Sequence, residues 1–174
     1  MPYWNPLKIG GTEVSLAHLE PHELICALPD GKRQLAISVT YSNHCFSIAF
    51  DPALHKPDQI LQEEARPRVF DQARYDASKG LPGILKGITN GRVQLTPAKN
   101  YYYHHSLAPE NDPYDVFFNL KRNMKQRKPP LVLYVESAYI NDEIVNARAR
   151  PQSVRFSLLA EKIAAGKRLK FNWR

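Results

Sequence analysis

Apolar and polar residues alternate most regularly in three stretches of the chain. In Gln34–Phe50 the residues Leu35, Ile37, Val39 and Tyr41 interleave with Ala36, Ser38 and Thr40, the period of two expected of a β-strand. In Tyr114–Lys121 a second such row is Tyr114, Val116, Phe118 and Leu120, with Phe117 turned the other way. Leu131–Ile140 is apolar on both faces, which predicts a strand covered on both sides in the interior of a sheet. The loop from Arg122 to Pro130 makes the last two an antiparallel hairpin with a basic tip. Shorter strands are expected at Glu13–Leu19, Glu23–Leu28 and Arg92–Leu95, and Asn100–His105 reads as an edge strand or a loop. Turn residues at Gly10-Gly11 and Pro29-Asp30-Gly31 separate the first of them, and Asp30-Gly31 suits a hairpin tip.

A helical spacing replaces the alternation after Asp51. Asp58–Glu64 suits a short helix. Pro67–Lys79 reads as a second helix, with Pro67 in its first turn and Phe70, Ala73, Ala77 and Leu81 along one stripe. Leu81, Ile84, Leu85 and Ile88 make a third within Pro82–Ile88, closed by Asn90-Gly91. Val154–Ala165 supplies a last one, with Phe156, Leu159 and Ile163 inward and Gly166 as its cap. Strands, helices, strands and a final helix, in segregated runs, predict an α+β fold: a mainly antiparallel sheet with two to four helices packed on it. The 174 residues suit one globular domain, with a strand-rich block at about 12–50 and a basic region at 121–174.

Composition changes this picture in three ways. No apolar run approaches the length of a membrane span, and MPYWNPLKIGG lacks the basic start and apolar stretch of a secretory signal, so a cytoplasmic protein away from the membrane is expected. Cys26 and Cys45, the only cysteines, then read as reduced, half-buried thiols. The net charge of +7 is unevenly spread: residues 121–174 hold thirteen Lys and Arg against four acids, while residues 1–120 hold eleven against thirteen. Such a concentration favours an anionic partner, RNA or another single-stranded nucleic acid foremost.

No dinucleotide, phosphate-loop, zinc or serine-hydrolase motif is present, so neither a metal nor another cofactor is expected. Four weaker constellations remain. His44 follows a strand, within Tyr41–Phe46, where an imidazole with an ordinary pKa near 6.5 can act as acid or base; the alternative is a structural, hydrogen-bonded histidine. Phe70, Arg74 and Ser78 fall at i, i+4 and i+8, with Tyr75 and Lys79 on the adjoining row; Arg74 and Ser78 together suit a phosphate, or Arg74 pairs with Asp71 or Glu136. In Tyr101–His105, Tyr102 and His104 suit base stacking and proton transfer, or the tyrosines simply pack. Glu136 shares a face with Val132, Tyr134 and Ala138 in the most apolar strand, so it needs a cation, Arg74 being favoured, or a function. Ser137 and Tyr139 fall on the other face of a regular strand. Arg122, Lys125, Arg127 and Lys128 in the hairpin loop are the expected contacts to phosphates.

Helices followed by an antiparallel sheet, a basic charge and these His, Arg, Glu, Tyr and Ser residues resemble, over residues 58–140, the small metal-independent ribonuclease toxins of the barnase, EndoU, colicin and RelE type. The resemblance is architectural, and no catalytic residue is carried over from it. It implies a cofactor-free endoribonuclease of toxin or defence type, with a protein partner of the antitoxin kind. His44 or His104, Glu136 and Arg74 supply a base, an acid and a cation for such chemistry. The other readings are a non-catalytic nucleic-acid-binding subunit and a protein adaptor anchored by Trp4, Trp173 and the tyrosine run.

Overall fold

The computed structural model describes residues 2–61, 66–96, 100–106, 113–124, 128–140 and 153–167, with the backbone alone for residues 102, 104–106 and 113. Strands β1 (Leu7–Ile9) and β2 (Thr12–Val14) form a small hairpin around Gly10 and Gly11, whose φ values of +55° and +84° suit glycine. The expected strand over Glu13–Leu19 stops at Val14. Leu16 and Leu19 are both buried, and a 3-10 turn at Ala17–Leu19 brings residues three apart onto one side, as a strand would not. Strands β3 (His22–Ala27) and β4 (Gln34–Tyr41) then form the expected hairpin, with Gly31 at φ +67° in its tip.

The long strand predicted to run to Phe50 breaks after Tyr41. The Ser42 hydroxyl accepts from the His44 amide and starts a 3-10 turn, Asn43–Cys45, before β5 (Ser47–Ala49). A further 3-10 turn, Pro57–Gln59, stands where a short helix was expected; residues 62–65 of that expectation lie outside the described residues. Pro67 does not open a helix. Arg68–Phe70 is β6, paired with β5 and burying Val69, and α1 (Gln72–Ser78) begins where the Asp71 carboxylate accepts from the Arg74 amide at 2.7 Å. Helix α2 (Leu81–Ile88) buries all four of its predicted apolar positions.

Next come β7 (Arg92–Leu95), β8 (Tyr101–Ser106), β9 (Pro113–Arg122), β10 (Leu131–Ile140), β11 (Ser153–Arg155) and α3 (Phe156–Ala164). Val154 pairs with Val93 in the sheet, so the last helix starts two residues later than its apolar spacing predicts. Gly166 caps it at φ +68°. The fold is α+β. Among the described residues its main sheet has seven strands in the order β11-β7-β8-β9-β10-β4-β3, and every pair is antiparallel except β4 with β10. The β9–β10 hairpin forms and β10 is interior, as expected, but β8 is interior too, because β7 covers its other side.

One face of this sheet meets the helices. Ile37, Val39, Val116, Phe118, Leu133 and Val135 join Ile84, Leu85, Ile88, Phe156 and Leu159 in a single core. Cys26 and Cys45 are free thiols inside it, fully rather than half buried. Gly91, after α2, lies so close to Tyr103 that an added Cβ would stand 2.8 Å from the ring. The opposite face is more open, with Ile25 51% and Tyr134 40% exposed. Among the described residues no helix is long and apolar enough to cross a membrane.

Candidate functional site

The parallel pair β4 and β10 stays in register only to Tyr41 and Val135. There β4 leaves the sheet, while β10 continues against β9. At the point of departure the Ser42 amide donates to the Val135 carbonyl at 2.9 Å, and its hydroxyl donates to the Glu136 carbonyl at 2.5 Å. The register between β9 and β10 shifts here: Val135 faces Phe118 and Ser137 faces Phe117, which leaves Glu136 as the extra residue of a β-bulge.

The bulge overturns the alternation read from the sequence. A regular strand would set Ser137 and Tyr139 opposite Glu136; with one residue inserted, Glu136, Ser137 and Tyr139 all line one cavity, and Ala138 turns into the core instead. The cavity is about 610 Å³, within the usual range for small-molecule sites. Ser42, Asn43 and His44 enter it from the end of β4, Asn100 from the start of β8, Phe117 from β9, and Tyr134 from β10. The Phe117 and Tyr139 rings stack at 5.8 Å.

Glu136 has no cationic partner among the described residues; the expected ion pair with Arg74 is absent. The side-chain amides of Asn100 and Asn119 donate to its two oxygens instead. Thr96 donates in turn to the Asn100 amide oxygen. Neutral amides satisfy a half-buried carboxylate without cancelling its charge. The carboxylate is thereby held in one orientation on the cavity wall and remains the acceptor there.

Arg74 lies behind this wall. Its Nη1 donates to the carbonyls of His44 at 3.0 Å and Ser47 at 3.3 Å, and its guanidinium lies 4.8 Å from the centroid of the Tyr139 ring. It therefore fixes the turn that presents His44. The shared phosphate site of Arg74 and Ser78 does not form, and Phe70 stands on β6 rather than on their helix. Ser78 is fully buried and donates to the Tyr75 carbonyl, so it can only accept from His18 Nε2, 2.8 Å away. Burial, with the Lys79 charge second, lowers the His18 pKa. That Ser–His contact is a structural link, not a nucleophile with its base. Tyr75 donates to the Ser15 carbonyl and packs against His18 and Phe70. Ser78 and Tyr75 thus belong to the joint between α1 and the N-terminal segment, outside the cavity.

Two other titratable groups here stay protonated. Burial pushes the Cys45 thiol up to about 12, which removes it as a nucleophile despite its place beside His44. Burial also raises the Tyr134 phenol, with Tyr3 adding to it, so Tyr134 stays a neutral hydroxyl. Trp4 packs edge-on against Phe46 at 5.2 Å and offers no exposed anchor; Trp173 lies outside the described residues.

In the basic hairpin loop Lys125 and Arg127 lie outside the described residues, and Lys128 is exposed. Arg122 reaches the C-terminal end of α3, its Nη1 3.5 Å from where a Cβ of Gly166 would stand. Tyr102 and His104 are placed by backbone register, opposite Phe117 and Asp115 respectively. Among the described residues no three His, Cys, Asp or Glu side chains gather as a metal site would require.

Sequence reasoning named His44 and Glu136 but missed Asn100, Asn119, Ser42 and Phe117. Asn119 was accessible in principle, as the polar residue alternating with Phe118 and Leu120. Asn100 meets Glu136 only because β8 lies beside β9, which no local pattern states. No curated protein and no solved structure matches the chain. The model of one family does match, over residues 6–164, a span that takes in every strand and helix described above together with the whole cavity, and the chain belongs to the YjaZ family.

Proposed function

We propose that this protein is directed at single-stranded RNA and cleaves it without a metal, with His44 and Glu136 as the acid–base pair. The observation that carries the reading is that His44 and Glu136, from distant parts of the chain, line one cavity where the parallel β4–β10 pair ends, with the bulge turning Ser137 and the Tyr139 ring to the same side. Unstacked bases bind on aromatic rings displayed by a sheet, and Phe117, Tyr134 and Tyr139 are displayed in this way. Phe117, Asn119 and Lys121 alternate along β9 toward the basic loop. That loop begins about 17 Å from Glu136 along β10, at roughly 3.4 Å per residue, which is a span of a few nucleotides.

In the reaction the Glu136 carboxylate takes the proton of the ribose 2′-hydroxyl, and the 2′-oxygen attacks phosphorus. The bond from phosphorus to the 5′-oxygen breaks as the His44 imidazolium donates a proton to that oxygen. The products are a 2′,3′-cyclic phosphate and a free 5′-hydroxyl. Asn100 and Asn119 keep the carboxylate aimed while its charge changes.

A test uses end-labelled RNA oligonucleotides in EDTA. Cleavage that leaves cyclic phosphate ends, stops at a 2′-deoxy position, and is lost in both His44→Ala and Glu136→Gln supports the reading. Intact RNA, or cleavage indifferent to both substitutions, overturns it. One observation favours a non-catalytic binder: Arg74, the cation that would steady the phosphorane, is directed at two backbone carbonyls and the Tyr139 ring. On that reading the cavity holds a base, and wild-type protein binds RNA in a salt-dependent manner while leaving it whole.

A further inference from the structure

A second concavity, of about 420 Å³, lies where the start of β4 meets the C-terminal end of α3. It is separated from the cavity by the length of β4, roughly 23 Å from Leu35 to Ser42 at 3.3 Å per residue. Its floor is aliphatic, made by Leu28, Leu35, Ala164 and Ala165, and among the described residues no aromatic ring lines it. Its rim is cationic. Among the described residues that line it the one acid is Glu161, already bound to Arg33 Nη2 at 2.7 Å, and Arg33 also holds Asp30. Lys162 and Lys167 on the rim, and Arg122 beside Gly166, have no acidic partner among the described residues.

The end of a helix does attract cations, but its dipole amounts to only about half a negative charge. Arg33, Arg122, Lys162 and Lys167 against Asp30 and Glu161 leave a surplus of two positive charges among the described residues, several-fold that need, and the groove is left positive. An aliphatic floor under a positive rim complements a segment that is acidic on one side and carries leucine-like side chains on the other. Nucleic acid lacks the second feature: its bases stack on rings, and the described residues of this floor are aliphatic.

We propose that this groove is a docking site for an acidic peptide segment of a partner protein, with aliphatic side chains seated on Leu28, Leu35 and Ala164. The site is independent of the cavity and of the chemistry proposed there. The probe is a fluorescein-labelled synthetic peptide rich in Glu and Asp, with leucines at positions i, i+4 and i+7, titrated against the full chain by fluorescence anisotropy.

Binding should weaken about tenfold or more in the double variant Lys162→Glu/Lys167→Glu. It should weaken similarly in Ala165→Trp, which fills the groove without changing charge and stands in if the double variant fails to fold. A peptide with serine in place of leucine should bind less tightly than the leucine peptide. The proposal is overturned if the leucine peptide does not bind at low ionic strength. It is equally overturned if leucine and serine peptides bind alike and single-stranded RNA displaces both, which would make the groove a general polyanion surface.

Discussion

The cavity and the groove stand at opposite ends of β4, and they are built by different rules. The cavity is lined by aromatic rings around a single carboxylate whose two oxygens are held by neutral amides, and the bonds that hold it are half-buried. The groove is aliphatic and edged by long cationic side chains, and its one acid among the described residues is tied into an exposed pair: Arg33 is 62% exposed. Hydrogen bonds shielded from water hold a group in one orientation; exposed charges at the end of flexible stems attract without fixing. The first arrangement suits chemistry at a fixed point, the second attraction of a partner whose exact seat is set by apolar contact.

The largest expected effect separates the two regions outright. His44→Ala and Glu136→Gln should each lower RNA cleavage by about a hundredfold or more, whereas Lys162→Glu/Lys167→Glu should leave cleavage of a dinucleotide, too short to reach the groove, unchanged. Rates on a dinucleotide and on a longer RNA, measured in parallel, check this. Equal losses in all three variants would mean that the two regions are one site.

Ser42→Ala tests the cavity's frame. The Ser42 hydroxyl accepts from the His44 amide and donates to the Glu136 carbonyl, in a residue only 8% exposed. Its loss should cost about 1–3 kcal/mol in urea unfolding, with cleavage falling and affinity for the acidic peptide unaltered. Gly91→Ala acts on the core that both regions share. The new methyl would meet the Tyr103 ring, and the expected destabilisation is about 1–3 kcal/mol. Both activities should persist below the lowered melting temperature.

At the groove, Arg33→Ala removes the pairs with Glu161 and Asp30, yet the urea midpoint should stay within error because the guanidinium end is 62% exposed. A clear drop would show these pairs to be as structural as the Ser42 bonds. The smallest effect is that of pH at the third polar joint. Burial lowers the His18 pKa in the folded chain from its ordinary 6.5, so below about pH 6.5 the unfolded chain binds the proton more readily. Stability from this group is present above that pH and declines as the pH falls through the folded value. His18→Gln, which can still donate to Ser78, should flatten that part of the stability profile without touching RNA cleavage or peptide binding.

Much of the architecture follows from the sequence alone. The period-two rows of β4, β9 and β10, the Asp30-Gly31 hairpin, the four apolar positions of α2 and the Gly166 cap all arise from contacts a few residues apart or from one buried face. The imbalance of charge toward residues 121–174 is likewise a property of composition. Segregated runs of strand and helix were enough to give α+β with a mainly antiparallel sheet, because each element had to bury its own apolar stripe.

Tertiary structure decided the site. His44 and Glu136 were both visible as polar residues at the end or in the middle of an apolar strand, but their meeting depends on the parallel pairing of β4 with β10. The bulge at Glu136 depends on Ser42, 94 residues away in sequence, occupying its carbonyl. A strand read by strict alternation must put Ser137 on the wrong face, since one inserted residue reverses every later position. Glu136 likewise received amides rather than the predicted Arg74, because β8 and β9 brought Asn100 and Asn119 to its face while α1 lay beside the edge that β4 vacates. Local pattern fixes which residues must be buried or capped; which polar groups meet is settled only by the order and register of strands far apart in the chain.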